Sequence, residues 1–121
     1  MSPAEFDRIV ERAVAAVPSP YRQRVQNLVI VVEAEPPRPD LLGLYQGRPL
    51  TQRGVSDQFQ MPDTITIYQG PHERMARTYE QLVELVKETV WHEIAHYFGL
   101  NEAEVLRAER RRARFRRLGR G

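Results

Sequence analysis

Between residues 3 and 17, Phe6, Ile9, Val10, Ala13, Val14 and Val17 recur at helical spacing on one face. Ser2 suits a cap, Pro3 suits the first helical position, and Glu5 and Asp7 favour the positive end. Pro18-Ser19-Pro20 stops that helix. The pattern then changes. Asn27–Ala34 holds an uninterrupted apolar run, Leu28–Val32, rich in β-branched residues, which predicts a buried strand. Residues 35–62 are rich in Pro and Gly and read as irregular, with a short strand around Leu41–Tyr45. Asp63–Gln69 alternates Ile65 and Ile67 with Thr64, Thr66 and Tyr68, which predicts a half-buried strand at a sheet edge. Gly70-Pro71 ends it. The longest helix is expected from about Thr78 to Phe98, with Leu82, Leu85, Val86, Thr89, Val90 and Ile94 as its apolar stripe and Gly99 as its stop. Asn101 and Glu104 have capping-box spacing, opening a last helix from Glu102 to about Arg117.

Composition sharpens this picture. One domain over residues 1–121 suits the length. The chain has no Cys, which removes disulfides, thiolate metal sites and Cys nucleophiles. The apolar runs are far too short to span a bilayer. The acidic N-terminus is unlike a signal peptide, so a cytoplasmic protein with no membrane partner is expected. Residues 1–106 carry ten basic and fifteen acidic side chains, a net of −5. Residues 107–121 carry eight Arg and one Glu, a net of +7. The basic character therefore belongs to the C-terminal stretch alone. That stretch reads as a solvated helix end, with partner docking and phosphate contact as its other readings. It holds one aromatic, Phe115, so a nucleic-acid partner is not expected.

The chemistry sits at the end of the long helix, in His92-Glu93-Ile94-Ala95-His96. Two His at i and i+4 occupy one face, one turn apart, as two ligands of one tetrahedral zinc must. Glu93 follows the first His directly, where a carboxylate can serve as general base toward the metal's water. Gly99 permits a sharp turn beyond His96, and Glu102 stands where a third ligand is expected. Glu102 also suits a first-turn helix carboxylate, and Glu104 or Asn101 are alternatives at less suitable spacing. His72 reads as a solvated turn residue and Trp91 as core packing.

These residues resemble the zincin metallopeptidases, with Glu in place of the usual third His of the elongated metzincin-type motif. More closely, the chain resembles the minimal zincin-like bacterial family of zinc metallopeptidases. The resemblance runs through Leu42-Gly43-Leu44-Tyr45-Gln46-Gly47, Pro62–Tyr68 and Thr89–Leu100. It implies an α+β fold with a small mixed β-sheet above the active-site helix. It also implies zinc held by His92, His96 and Glu102, with Glu93 catalytic. Met1, Met61 and Met75 all precede the motif, so the Met-containing turn that metzincins place beneath the metal is absent.

The expected activity is zinc-dependent hydrolysis of peptide bonds in a peptide or protein substrate. Zinc acidifies its water, and Glu93 takes the proton and passes one to the leaving amine. The strand Asp63–Gln69 is expected to hold an extended peptide, and loop 35–62 to wall the cleft. Tyr68, His72 and Tyr97 are candidate oxyanion donors. The alternative is a zinc-binding module without peptidase activity, which the small size and missing Met-turn favour. An RNA-directed metal hydrolase fits less well, because the related RNA-cleaving motif lacks a Glu after its first His.

Overall fold

The computed structural model describes residues 1–47, 62–100, 103, 104 and 107. Helix α1 spans Pro3–Ala15, with the Ser2 side chain accepting the Glu5 amide N–H. A short α2, Ser19–Arg22, follows. Strand β1 is Leu28–Glu33, β2 is Gly43–Gln46 and β3 is Asp63–Tyr68. Helix α3 covers Gln69–Met75, and α4 runs from Tyr79 to Tyr97. Thr78 caps α4 by accepting the Gln81 amide N–H.

The sheet is mixed, in the order β1-β3-β2. β1 and β3 run parallel, from Leu28 opposite Asp63 to Glu33 opposite Tyr68. β2 is antiparallel to β3, with Gly43 opposite Ile67 and Gln46 opposite Thr64. Phe6, Ile9, Val10 and Ala13 of α1 join Leu82, Val86, Val90 and Ile94 of α4 in a core with Ile65 and Ile67 of β3. The sheet therefore buries one face against two helices, the α+β layering expected.

Two strand assignments exchange places. Asp63–Tyr68 is the central strand, not an edge, and its residues are buried apart from half-buried Thr64. Thr66 and Tyr68 are 5% and 3% exposed, so β3 is covered on both faces where an edge strand would leave its polar face in water. The apolar run Leu28–Val32 is an edge strand instead, with Val29 42% exposed. Leu28, Ile30 and Val32 are packed against the core, while Val29 and Glu33 are exposed. Hydropathy reports how much apolar surface a strand carries, not whether it has neighbours on both sides.

Helix α3 also departs from expectation. The strand stops before Gly70-Pro71 as expected, and the chain enters an unanticipated helix there, with Pro71 in the first turn where a missing N–H costs nothing. The short strand near Leu41–Tyr45 is present as β2. Most of the expected last helix, the Arg-rich stretch beyond residue 107, and Pro49 and Gly54 of the connecting loop lie outside the described residues. Ala103, Glu104 and Arg107 are helical. Among the described residues, no helix is long and apolar enough to cross a membrane.

Candidate metal centre and adjoining cavity

Helix α4 is fixed about its own axis by what it buries. Trp91, Ile94, Ala95 and Tyr97 are almost fully inaccessible, and they interleave with His92 and His96, which are half-buried. Trp91 and Phe98 pack edge-on against Tyr21. With one face committed to the core, both His are turned to the other. Their Nε2 atoms lie 3.1 Å apart. Zinc–nitrogen bonds of about 2.0–2.1 Å at tetrahedral angles set two donors about 3.3 Å apart, so these nitrogens suit two positions of one zinc. The same separation serves an N–H···N hydrogen bond when a proton occupies the place of a metal. Among the described residues no trio of His, Asp and Glu completes a metal set. Glu102, the expected third ligand, lies outside the described residues, as does Asn101.

The turn after His96 is built to redirect the chain. Gly99 has φ 76°, a left-handed conformation. Its N–H donates to the His96 carbonyl and the Leu100 N–H to the Ala95 carbonyl, at 2.9 and 3.1 Å. This is a Schellman ending, which closes the last carbonyls and reverses the backbone.

Glu93 is buried, 8% exposed, and faces the sheet at Gly43. A Cβ on Gly43 would stand 2.8 Å from Thr89 Cγ2 and 3.2 Å from Glu93 Cγ. Only a residue without a side chain lets β2 lie this close to α4. On the same side a cavity of about 380 Å³ opens between the two elements. Leu41, Leu42 and Gly43 form one wall, and Leu85, Thr89, His92 and Glu93 form the other. Asp40 and Glu88 stand at its rim, exposed.

His72 is not a solvated turn residue. It is fully buried beside Phe6, with ring centroids 5.7 Å apart. Nδ1 lies 2.6 Å from the Tyr68 carbonyl and Nε2 lies 2.9 Å from Thr89 Oγ1, whose single hydroxyl proton is shared between Nε2 and the Leu85 carbonyl 3.0 Å away. Nδ1 must carry the proton, because a carbonyl only accepts. Burial pushes the His72 pKa down, partly opposed by that backbone bond. The role of His72 is to hold Thr89, and so the cavity wall, in register with β3 and α3.

None of the three oxyanion candidates meets the cleft. The Tyr97 hydroxyl is spent on Gln26, accepting from its N–H and donating to its carbonyl, each at 2.7 Å. Tyr68 is buried in the sheet, where burial first and the Glu33 charge second push its pKa up. His72 is committed as described. Sequence reasoning also missed Leu85 and Glu88 as cavity residues. Their spacing of seven and four residues before His92 carries that information, since both share its helix face. Nothing comparable marks Asp40 and Leu41.

Residues 25–112, most of the chain, match the sequence model described as zincin-like metallopeptidase. Among solved structures, a conserved hypothetical protein from Thermo thermophilus is similar, at 27% identity and a TM-score of 0.56. The match covers 81% of this chain and 94% of that one. No curated protein matches the chain significantly.

Proposed function

The chain belongs to the zincin-like metallopeptidase family, and from that premise we propose that it hydrolyses peptide bonds using zinc held by His92, His96 and Glu102. The observation that carries this reading is the convergence of the two His Nε2 atoms at 3.1 Å, with Glu93 on the wall of the adjoining cavity. Zinc in that position supplies Lewis-acid polarisation of a carbonyl and a lowered pKa for water.

The chain's own residues do the rest. Glu93 takes a proton from the attacking water and returns it to the leaving amine. Its burial keeps that carboxylate in a low-dielectric place, where a proton is exchanged with few competing waters. β2, not β3, is the strand suited to hold an extended substrate. It lies directly over α4 at Gly43, and among the described residues no strand pairs with its outer edge. Gly43 keeps the gap between strand and helix at the depth Glu93 needs.

Elemental mass spectrometry of the wild type and His96→Ala tests the metal reading. About one zinc per chain, lost in the variant, is expected. Peptide hydrolysis that disappears in Glu93→Gln while the zinc remains is the second expected result. Absence of zinc after reloading sinks the proposal. Zinc binding without hydrolysis of any of a diverse set of unfolded substrates leaves a zinc-binding interaction module instead.

A further inference from the structure

We propose that the cavity beside His92 selects a long basic side chain, its stem lying against Leu41 and Leu42 and its charge held between Asp40 and Glu88. The inference rests on the hydrolytic reading above and names the residue class that the site accepts. The cavity, about 380 Å³, falls in the range that small ligand sites occupy. Its walls near α4 are graded. His92 and Glu93 stand at one end, Thr89 and Glu88 one turn earlier, and Leu85 a turn before that. Four residues of helix advance about 6 Å, so Glu88 leaves the helix about that far from His92. A lysine or arginine stem of three or four methylenes covers the same distance and prefers an apolar wall with its head in water.

The charges point the same way. Glu88 is exposed on α4, and no described residue pairs with it. Asp40 sits in a left-handed turn, φ 67°, a conformation Asp tolerates, across the cavity mouth. Arg74 feels the Asp40 charge, but both Arg74 nitrogens that donate are taken by Glu35, at 2.8 and 3.0 Å. Among the described residues no Lys or Arg lines the cavity. A substrate carboxylate there meets two like charges, and a purely apolar chain leaves both unused.

The test reads binding and cleavage separately. The Glu93→Gln protein, labelled with nitrogen-15, is titrated with N-acetyl-arginine amide and N-acetyl-norleucine amide, with and without zinc. Saturable shifts at Leu41–Gly43 and Leu85–Thr89 are expected. The arginine amide should bind about tenfold tighter at low salt, equivalent to ~1.4 kcal/mol. That ratio should shrink with salt and approach one in Asp40→Asn/Glu88→Gln. Equal binding of the two amides, shifts elsewhere, no saturation, or a ratio that survives in the double variant overturns the proposal. In a peptide library, cleavage by the zinc-loaded protein should enrich Arg and Lys at one position beside the scissile bond. Cleavage without that enrichment overturns this inference and leaves the hydrolytic reading standing. Arginine-amide binding without any cleavage does the reverse.

Discussion

Replacing Gly43 by Ala perturbs the close approach of β2 to α4. The added methyl would stand 2.8 Å from Thr89 Cγ2, 3.2 Å from Glu93 Cγ and 3.3 Å from the Thr66 carbonyl oxygen. Carbon atoms in contact prefer about 3.5–4.0 Å, so the first gap is short by roughly 0.7 Å or more. The neighbours have little room to yield. Thr89 Oγ1 lies within hydrogen-bond distance of both His72 Nε2 and the Leu85 carbonyl, either of which holds it, and Thr66 is in the central strand. Gly43 must therefore move with β2, away from α4.

Overpacking of this kind costs about 1–3 kcal/mol. For a chain of this size that is a fall in Tm of about 3–15 °C by differential scanning calorimetry. The decisive control is Thr89→Ser, which removes Cγ2 and keeps the hydroxyl that His72 holds. Gly43→Ala should cost clearly less in the Thr89→Ser background, with a coupling of at least about 0.5 kcal/mol. Equal cost in both backgrounds refutes the reasoning, because the contact with the Thr89 methyl would then carry none of the effect.

Three further outcomes follow from named contacts. His72 has its pKa lowered by burial, so as pH falls below about 6.5 the unfolded chain takes up the proton first. Stability is therefore full above that pH and falls below it by at most about 1.4 kcal/mol per pH unit, until folded His72 is itself protonated. Urea unfolding at pH 7 and 5.5 should show a flatter pH dependence in His72→Gln, and an equal slope refutes the assignment. Gly99→Ala places a Cβ in a left-handed turn and should cost about 1–2 kcal/mol in urea unfolding. It should also weaken zinc binding in chelator competition, since the turn sets the path of the chain after His96. Tyr97→Phe strands the Gln26 N–H and carbonyl and should cost about 1–3 kcal/mol by urea unfolding, and an unchanged midpoint would show those bonds to be unimportant.

The elements legible in the sequence are those whose signal is local. Ser2 caps α1, α4 opens close to the expected Thr78 and Gly99 ends it, because each role depends on a residue type at one backbone position. The pairing of His92 with His96 is equally local, a consequence of helical pitch. What the sequence hid depends on neighbours distant in the chain. β1 and β3 exchange centre and edge because strand order is set by what packs on each side. His72 reads as a turn residue until Phe6, 66 positions earlier, and Thr89, 17 positions later, enclose it. Tyr97 looks like a donor beside the motif until Gln26 claims its hydroxyl.

The same distinction explains how so small a chain orients the His pair of the proposed metal site. One helix supplies two nitrogens and a carboxylate within five residues, so their mutual spacing needs no tertiary support. Their direction does need it. Trp91, Ile94, Ala95 and Tyr97 occupy the opposite side of the helix and are at most 2% exposed. Turning α4 by a single residue, about 100°, would carry the His pair toward the core and Trp91 toward water. Burying an aromatic of that size opposes such a rotation, so packing fixes which way the nitrogens face before any metal is bound. Tyr97 adds a tether through Gln26, next to β1, and Gly43 sets the depth at which β2 closes over Glu93. The core thus acts on the candidate site through orientation, and substitutions such as Gly43→Ala and Tyr97→Phe should disturb it without altering His92, Glu93 or His96 themselves.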